Sequence, residues 1–383
     1  MRIMMIGQKG IPATYGGIER HVEEVGSRLA ERGHEVTVFC RRNYSTEDRE
    51  YRGMQLRPMR TPTTKHLDAF VHSGLSTFVG MTEAPDVVHY HALGPGLWAP
   101  LPRYLSPSKV VLTVHGLDQH RAKWGRGARA VLTTAAWMSA RIPDATIGVS
   151  RALTDHYLER YGRSMVYIPN GVTPRRRRPA REILERFALA EGSYVLFVGR
   201  LVPEKAPDLL IEAFRHVPGN LRLVIAGGSS FTDRYAASLH GLASADPRVV
   251  FTGYVYGETI EELYSNAAVF VLPSLLEGLP LTLLEAAAFG VPIVVSDIPP
   301  HLEVVVHDGP GHRLFRSGDA RSLAEVVEAA VENHASEREG ARHFSSEVVR
   351  TYCWDDVTRA TEDLYRSLLT LPQPLAPSRQ LVR

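Results

Sequence analysis

Two carboxylates eight positions apart, Glu277 and Glu285, are the residues whose types and spacing point most directly to chemistry. Gly278, Leu279, Pro280, Leu281, Thr282, Leu283 and Leu284 lie between them. Upstream, residues 268–273 (AVFVLP) read as a buried strand closed by proline. Residues 283–289 read as a helix with small residues on its packed face. Gly290 ends that helix and Pro292 prevents its return, so residues 293–296 become the next strand. The predicted order is strand, tight turn, helix, strand, with Pro280 in the first helical turn, where proline fits. Unpaired N–H groups at such a helix start suit a phosphate. Glu277 then stands above the helix mouth, and Glu285 lies roughly 7 Å along the axis from it. Two acceptors flanking an anion hole suit a sugar hydroxyl on one side and a ribose on the other. Without the intervening string they would read as ordinary surface glutamates.

The elements that must position this pair are strands ending in glycine, histidine or arginine. Residues 194–198 form a strand running into Gly199-Arg200, and Lys205 follows five positions after the arginine. An Arg and a Lys on one strand-end loop can flank a pyrophosphate and supply charge without a metal. The chain has no D-x-D triplet, and Asp355-Asp356, at a predicted helix start, lacks that spacing. Near the N-terminus, a strand at 3–6, a glycine-bearing turn, a helix at 18–32 and a strand at 35–39 make a βαβ unit. Gly7, Gly10, Gly16 and Gly17 do not form G-x-G-x-x-G, which disfavours hydride transfer. Gly16-Gly17 instead allows close approach of backbone to an anion. Strands at 86–91 and 109–115 end in His91 and His115, at the carboxyl edge where an open parallel sheet holds its ligands. His91 reads as structural rather than catalytic. Asp118 is placed to orient a histidine or to meet an acceptor.

The Glu277–Glu285 string, the Gly199-Arg200…Lys205 loop and the IPNGV segment at 168–172 together resemble the retaining GT-B glycosyltransferases of glycosyltransferase family 4, over nearly the whole chain. The resemblance implies an α/β GT-B fold, two Rossmann-like domains facing across a cleft. Residues 1–172 would form the acceptor-side domain and 173–355 the nucleotide-sugar domain. A helix at 356–371 would cross back to the first domain, with Val357, Leu364, Tyr365 and Leu368 on its apolar face, ahead of a loose tail at 372–383. Glu277 would hold donor-sugar hydroxyls, Glu285 the ribose, and His115 the sugar near its 6-position. Arg200 and Lys205 would meet the leaving diphosphate, with Gly199, Gly16, Gly17 and Gly278 and backbone amides near Leu279 and Leu281 close by. Backbone around Tyr254 and Val255 would read the base. The implied reaction is metal-independent transfer of a hexosyl or deoxyhexosyl group from a dTDP-, UDP- or GDP-sugar, with retention, to a glycan, lipid-linked or small-molecule hydroxyl. The string GIPATYGGIE at 10–19 is similar to bacterial rhamnosyltransferases of surface polysaccharides. A non-catalytic sugar-nucleotide-binding subunit and a sugar-nucleotide epimerase are the competing readings on the same scaffold.

Composition bounds the rest. A chain of 383 residues, 44% hydrophobic and 22% charged, is that of an ordinary globular protein of two-domain size. A net charge of +2 does not suggest nucleic acid. Cys40 and Cys353 have no metal-ligand spacing and suit a reducing cytoplasm. No signal peptide or membrane-spanning run is expected. Two basic stretches, Arg175–Arg178 and Arg121, Lys123, Arg126 and Arg129 around Trp124, offer either a peripheral contact with the inner membrane face or solvated surface charge.

Overall fold

The computed structural model describes residues 1–14, 16–44, 48–61, 68–121, 124–229 and 232–370. Short apolar strands, buried on both faces, alternate with helices, the pattern of parallel α/β sheets. The first sheet contains β1 (Arg2–Ile6), β2 (Glu35–Arg41), β3 (Glu50–Tyr51), β4 (Met54–Met59), β5 (Val87–His91), β6 (Lys109–Val114), β7 (Ala145–Gly148) and β8 (Val166–Tyr167). Its spatial order is β3-β4-β2-β1-β5-β6-β7-β8. The second contains β9 (Tyr194–Val198), β10 (Arg222–Ala226), β11 (Val249–Gly253), β12 (Val269–Leu272), β13 (Ile293–Ser296) and β14 (His312–Phe315), in the order β11-β10-β9-β12-β13-β14. Pairing is parallel apart from β3 with β4. In each sheet the order reverses beside the first strand, β1 or β9, and that switch point is where an open sheet receives a ligand.

One face of the first sheet is covered by the helix Gly17–Glu31, through Val22, Val25 and Leu29. The same core takes in Trp354, Val357, Tyr365 and Leu368 of the helix Trp354–Thr370, so the last described helix packs on the first sheet. Its attachment is also polar. Tyr365 hydroxyl meets His89 Nδ1 at 2.6 Å, Arg28 Nε reaches Asp355 at 2.9 Å, and Glu362 takes Arg32 and His34. Gly171 lies flat against Trp354, since a Cβ there would come within 2.5 Å of the indole. Asp355 and Asp356 do fall in the first turn of that helix.

Three expectations need correction. Pro280 is the residue before the helix, not part of its first turn: its φ of −74° and ψ of 119° are extended, and the helix runs Leu281–Ala288. The Arg175–Arg178 run is more than a solvated cluster, although Arg176 is exposed. Arg175 and Arg178 pair with Glu261, and Arg178 also with Glu258, clasping the start of the second unit to the helix Gly257–Asn266, while Arg177 pairs with Glu191. Arg121 turns inward to pair with Asp118 at 3.0 Å, so Asp118 orients an arginine rather than a histidine. Lys123 and the tail from 371 lie outside the described residues.

Candidate active site

The site is assembled where backbone comes unusually close to backbone. After β1, Gly7 takes a φ of +132°, and a Cβ on it would stand 2.1 Å from the His91 carbonyl oxygen. After β10, Gly227 repeats the device at φ +146°, with a Cβ position 1.8 Å from the Gly199 carbonyl oxygen. Both positions demand glycine. Between the sheets, a Cβ on Gly278 would sit 2.1 Å from the His115 carbonyl oxygen. The turn carrying Glu277 is therefore pressed against the strand end carrying His115. Asn170 Nδ2 donates to the Leu279 carbonyl at 2.7 Å and adds a polar tie between the same two regions.

The cleft has two adjoining compartments. The larger, about 430 Å³, is walled by Arg20, Arg175, Tyr254, Tyr264 and Glu285. The smaller, about 280 Å³, is walled by Lys9, His115, Arg121, Glu204, Lys205 and Glu277. Gly16, Gly17, Gly199, Arg200, Leu281 and Thr282 belong to both and mark the junction. Leu281 and Thr282 open the helix Leu281–Ala288, whose N-terminal amides thus face the junction. The two glutamates picked out by their spacing lie in different compartments, on either side of that helix mouth.

Charge is distributed unevenly. Glu277 Oε1 is engaged by Lys205 Nζ and accepts from Ser274 Oγ at 2.7 Å. Both side chains of the ion pair are nearly buried, 13% and 9% exposed. Burial pushes the Glu277 carboxyl up, but Lys205 and then His301 outweigh it and hold it below the usual carboxylate range. Glu285 accepts a long hydrogen bond from Tyr264 hydroxyl at 3.4 Å. Here burial prevails over Arg20 and Arg175, and the carboxyl is raised. Arg200 makes no ion pair among the described residues. Burial, and then the neighbouring Arg121, lower its pKa. Val255 lines the larger compartment, and Tyr254 hydroxyl donates to the carbonyls of Gly228 and Ser229 at 3.1 and 2.9 Å.

His115 does not stand alone. Its Nε2 lies 3.3 Å from His91 Nδ1, and its ring meets that of His21 edge-on, centroids 4.8 Å apart. His21 Nδ1 bonds Asn170 Oδ1 at 2.9 Å. Burial drives all of these rings toward the neutral form: His21 to about 4, His91 and His115 well below the ordinary histidine value.

Two residues escape sequence reasoning. Glu204, between Pro203 and Lys205, is 8% exposed, and neither carboxylate oxygen finds a hydrogen-bond partner among the described residues. Thr282 Oγ1, at the helix mouth, is likewise buried and unpartnered. Such groups cost about 1–3 kcal/mol or more until a donor or acceptor arrives. The only signal in the sequence was adjacency to Lys205 and to Leu281.

Comparison with known proteins identifies the family and the fold. Residues 15–176 match the family described as Glycosyltransferase Family 4, and residues 181–345 match Glycosyl transferases group 1. A GDP-mannose-dependent alpha-(1-6)-phosphatidylinositol monomannoside mannosyltransferase of Mycobacterium tuberculosis is 30% identical over 356 residues, covering 86% of this chain and 88% of that one. Glycogen synthase of the same species is 28% identical, covering 98% of each. Among solved structures, sucrose-phosphate synthase from Thermosynechococcus elongatus superposes with a TM-score of 0.82 at 22% identity, over 96% of this chain and 98% of that one. Anabaena HepE in complex with UDP and glucose gives 0.80 at 17% identity, over 96% and 100%. These likenesses show the fold, GT-B.

Proposed function

The chain belongs to the family 4, group 1 glycosyltransferases, and on that premise we propose that it is a retaining, metal-independent hexosyl- or deoxyhexosyltransferase whose donor spans both compartments of the cleft. The observation that carries this reading is the placement of Arg200, an arginine with no ion pair among the described residues, at the junction of the two compartments beside the helix mouth. A nucleoside in the larger compartment and a sugar in the smaller put the diphosphate at that junction. Glu285, with its raised pKa, then takes the ribose hydroxyls. Glu277 and His115 face the sugar. Tyr254 and Val255 wall the base, with Gly16 and Gly17 at the junction and the backbone amides of Gly278, Leu279 and Leu281 on the phosphates.

In the step itself the bond from the anomeric carbon to the leaving phosphate oxygen breaks. A bond to the acceptor oxygen forms on the same face. The acceptor's proton passes to the departing diphosphate. Arg200 and the helix N-terminus stabilise the charge that develops on the phosphate, which is where preorganised donors contribute most. Lys205 joins them when a sugar hydroxyl replaces it at Glu277. Residues 1–172 supply the acceptor side and 173–355 the donor side, with the last helix bridging them.

The donor sugar is proposed as rhamnose from its dTDP form, on the strength of the GIPATYGGIE string. GDP-mannose, named for the mycobacterial relative, and a UDP-sugar, after the HepE complex with UDP and glucose, are the next in line. The acceptor is a glycan or lipid-linked hydroxyl at the cytoplasmic membrane face. No helix among the described residues is long and apolar enough to cross a membrane. A peripheral contact is supported instead by exposed Phe78, Tyr104, Leu105, Val131 and Trp137, on three helices that meet the turn Pro95–Trp98. Arg103 and Arg141 lie over Tyr104 and Trp137.

The test is a thermal-shift panel of nucleotide sugars, then product analysis by NMR. A donor at one hundred times its dissociation constant adds about 2.7 kcal/mol to stability. Shift by a UDP- or GDP-sugar alone replaces the rhamnosyl assignment. An inverted product anomer overturns retention.

A further inference from the structure

We propose that His21, His91 and His115 form a binding site for a divalent transition-metal ion, and that the bound ion inhibits the enzyme. The three rings come from the helix Gly17–Glu31, the end of β5 and the residue following β6. Each offers one ring nitrogen, and these three nitrogens lie within 4.8 Å of one another. His91 Nδ1 and His115 Nε2, at 3.3 Å, already have the separation of two imidazole ligands on one tetrahedral ion with bonds of about 2.0–2.1 Å. Separations of up to 4.8 Å exceed the roughly 3.3 Å between two ligands of a tetrahedral ion, so a ring moves inward by up to about 1.5 Å on binding.

The surroundings prepare these nitrogens as ligands. Asn170 Nδ2 is committed to the Leu279 carbonyl, which can only accept, so Asn170 turns Oδ1 toward His21. His21 Nδ1 must therefore carry the proton and donate, which leaves Nε2 as a lone pair. An amide carbonyl orienting a histidine through its other nitrogen is the outer-shell arrangement of metal-bound imidazoles. His91 is fully buried and turns Nδ1 toward His115, so on ligation its ring proton sits on Nε2, which has no hydrogen-bond partner among the described residues. By contrast His89, tilted against His91 with centroids 4.1 Å apart, spends both nitrogens on Tyr365 and Thr113 and is not available. Imidazole sets of this kind favour Zn²⁺, Cu²⁺, Ni²⁺ or Co²⁺ over Mg²⁺ or Ca²⁺. His115 forms part of the wall of the smaller compartment, so that compartment is the route of entry. An ion held there fixes His115 away from the sugar and competes with the donor. That inhibitory half rests on the role proposed above for His115, whereas ion binding does not.

The experiment is titration of the full-length protein, stripped with chelator, with Co²⁺, read by its visible ligand-field bands and by equilibrium dialysis. One ion per chain at micromolar affinity is expected. His91→Gln and His21→Gln should each weaken it by about tenfold or more, with folding checked by circular dichroism. His240→Gln, remote in the second unit, should leave it unchanged. No binding below millimolar Co²⁺ overturns the site, as does binding that both His91→Gln and His21→Gln leave intact. Zn²⁺ at matching concentration should raise KM for the nucleotide sugar, and chelator should reverse this. If Co²⁺ binds as expected while donor affinity is unaffected by Zn²⁺, the inhibitory half is overturned and the ion site stands.

Discussion

Removing Arg200 and removing Lys205 should have opposite consequences for stability, although both should impair turnover. Loss of Arg200 breaks no ion pair among the described residues, and its partly buried guanidinium is already disfavoured by burial and by Arg121. Arg200→Ala should leave Tm unchanged or slightly raised. Its loss removes a charge-assisted contact to the leaving group worth about 1.5–3 kcal/mol. Because that contact strengthens as the phosphate departs, kcat/KM should fall by about 10²–10³. Lys205→Ala instead strands Glu277, which is nearly buried. Losing one partner of a buried pair costs about 3–5 kcal/mol, with the lower end expected here because Ser274 still donates to Glu277. The pH dependence has a definite sign. In the native protein Glu277 is depressed, so its stabilising contribution is present above the ordinary carboxylate range and fades as pH falls through the folded value. Without Lys205 the burial contribution dominates and the carboxyl is raised, so stability is lost as pH rises. The Tm gap between wild type and Lys205→Ala should therefore widen from the carboxylate range to neutrality. Calorimetry across that range, beside steady-state kinetics on both variants, is the assay. Native kcat/KM in Arg200→Ala, or a pH-independent gap in Lys205→Ala, refutes the charge assignment.

Glu285→Gln should raise stability at neutral pH, because a raised carboxyl loses stability as pH climbs through its folded pKa, and should weaken nucleotide binding measured by calorimetric titration. Glu277→Gln frees Lys205 for phosphate, so affinity for the bare nucleoside diphosphate should rise while turnover of the nucleotide sugar falls; weaker binding of both ligands would contradict the exchange. Gly278→Ala places a methyl against the His115 carbonyl, so small-angle scattering with nucleotide diphosphate should show a larger radius than wild type, with kcat reduced. Tyr365→Phe leaves His89 Nδ1 unpaired in the core and should cost about 1–3 kcal/mol in urea unfolding.

What could be read in the sequence were features written in consecutive residues. The strand VFVL at 269–272, the turn around Gly278 and the helix from Leu281 are local, and hydrophobic runs punctuated by Gly and Pro mark them directly. Pro280 was misplaced by one position because proline fixes only φ, and an extended ψ satisfies a preceding cap as well as a first turn. The pairing of Arg175 and Arg178 is not legible in the sequence because their acidic partners, Glu258 and Glu261, are eighty or more positions away. Charge runs look solvated until the fold supplies the opposite sign. Glu204 and Thr282 were missed for a related reason: nothing in a residue's type says that its oxygens will be enclosed without partners. The histidines show the limit most sharply. His21, His91 and His115 are spread over nearly a hundred positions, and only a parallel sheet with β1 beside β5 and β5 beside β6 brings their rings together. Once the strand order is given, their meeting follows, because residues ending adjacent parallel strands share one edge and the helix after β1 starts at that edge. Strand order is thus the quantity that converts separated single residues into a site, and it is decided by which apolar faces pack, not by the residues that do the chemistry.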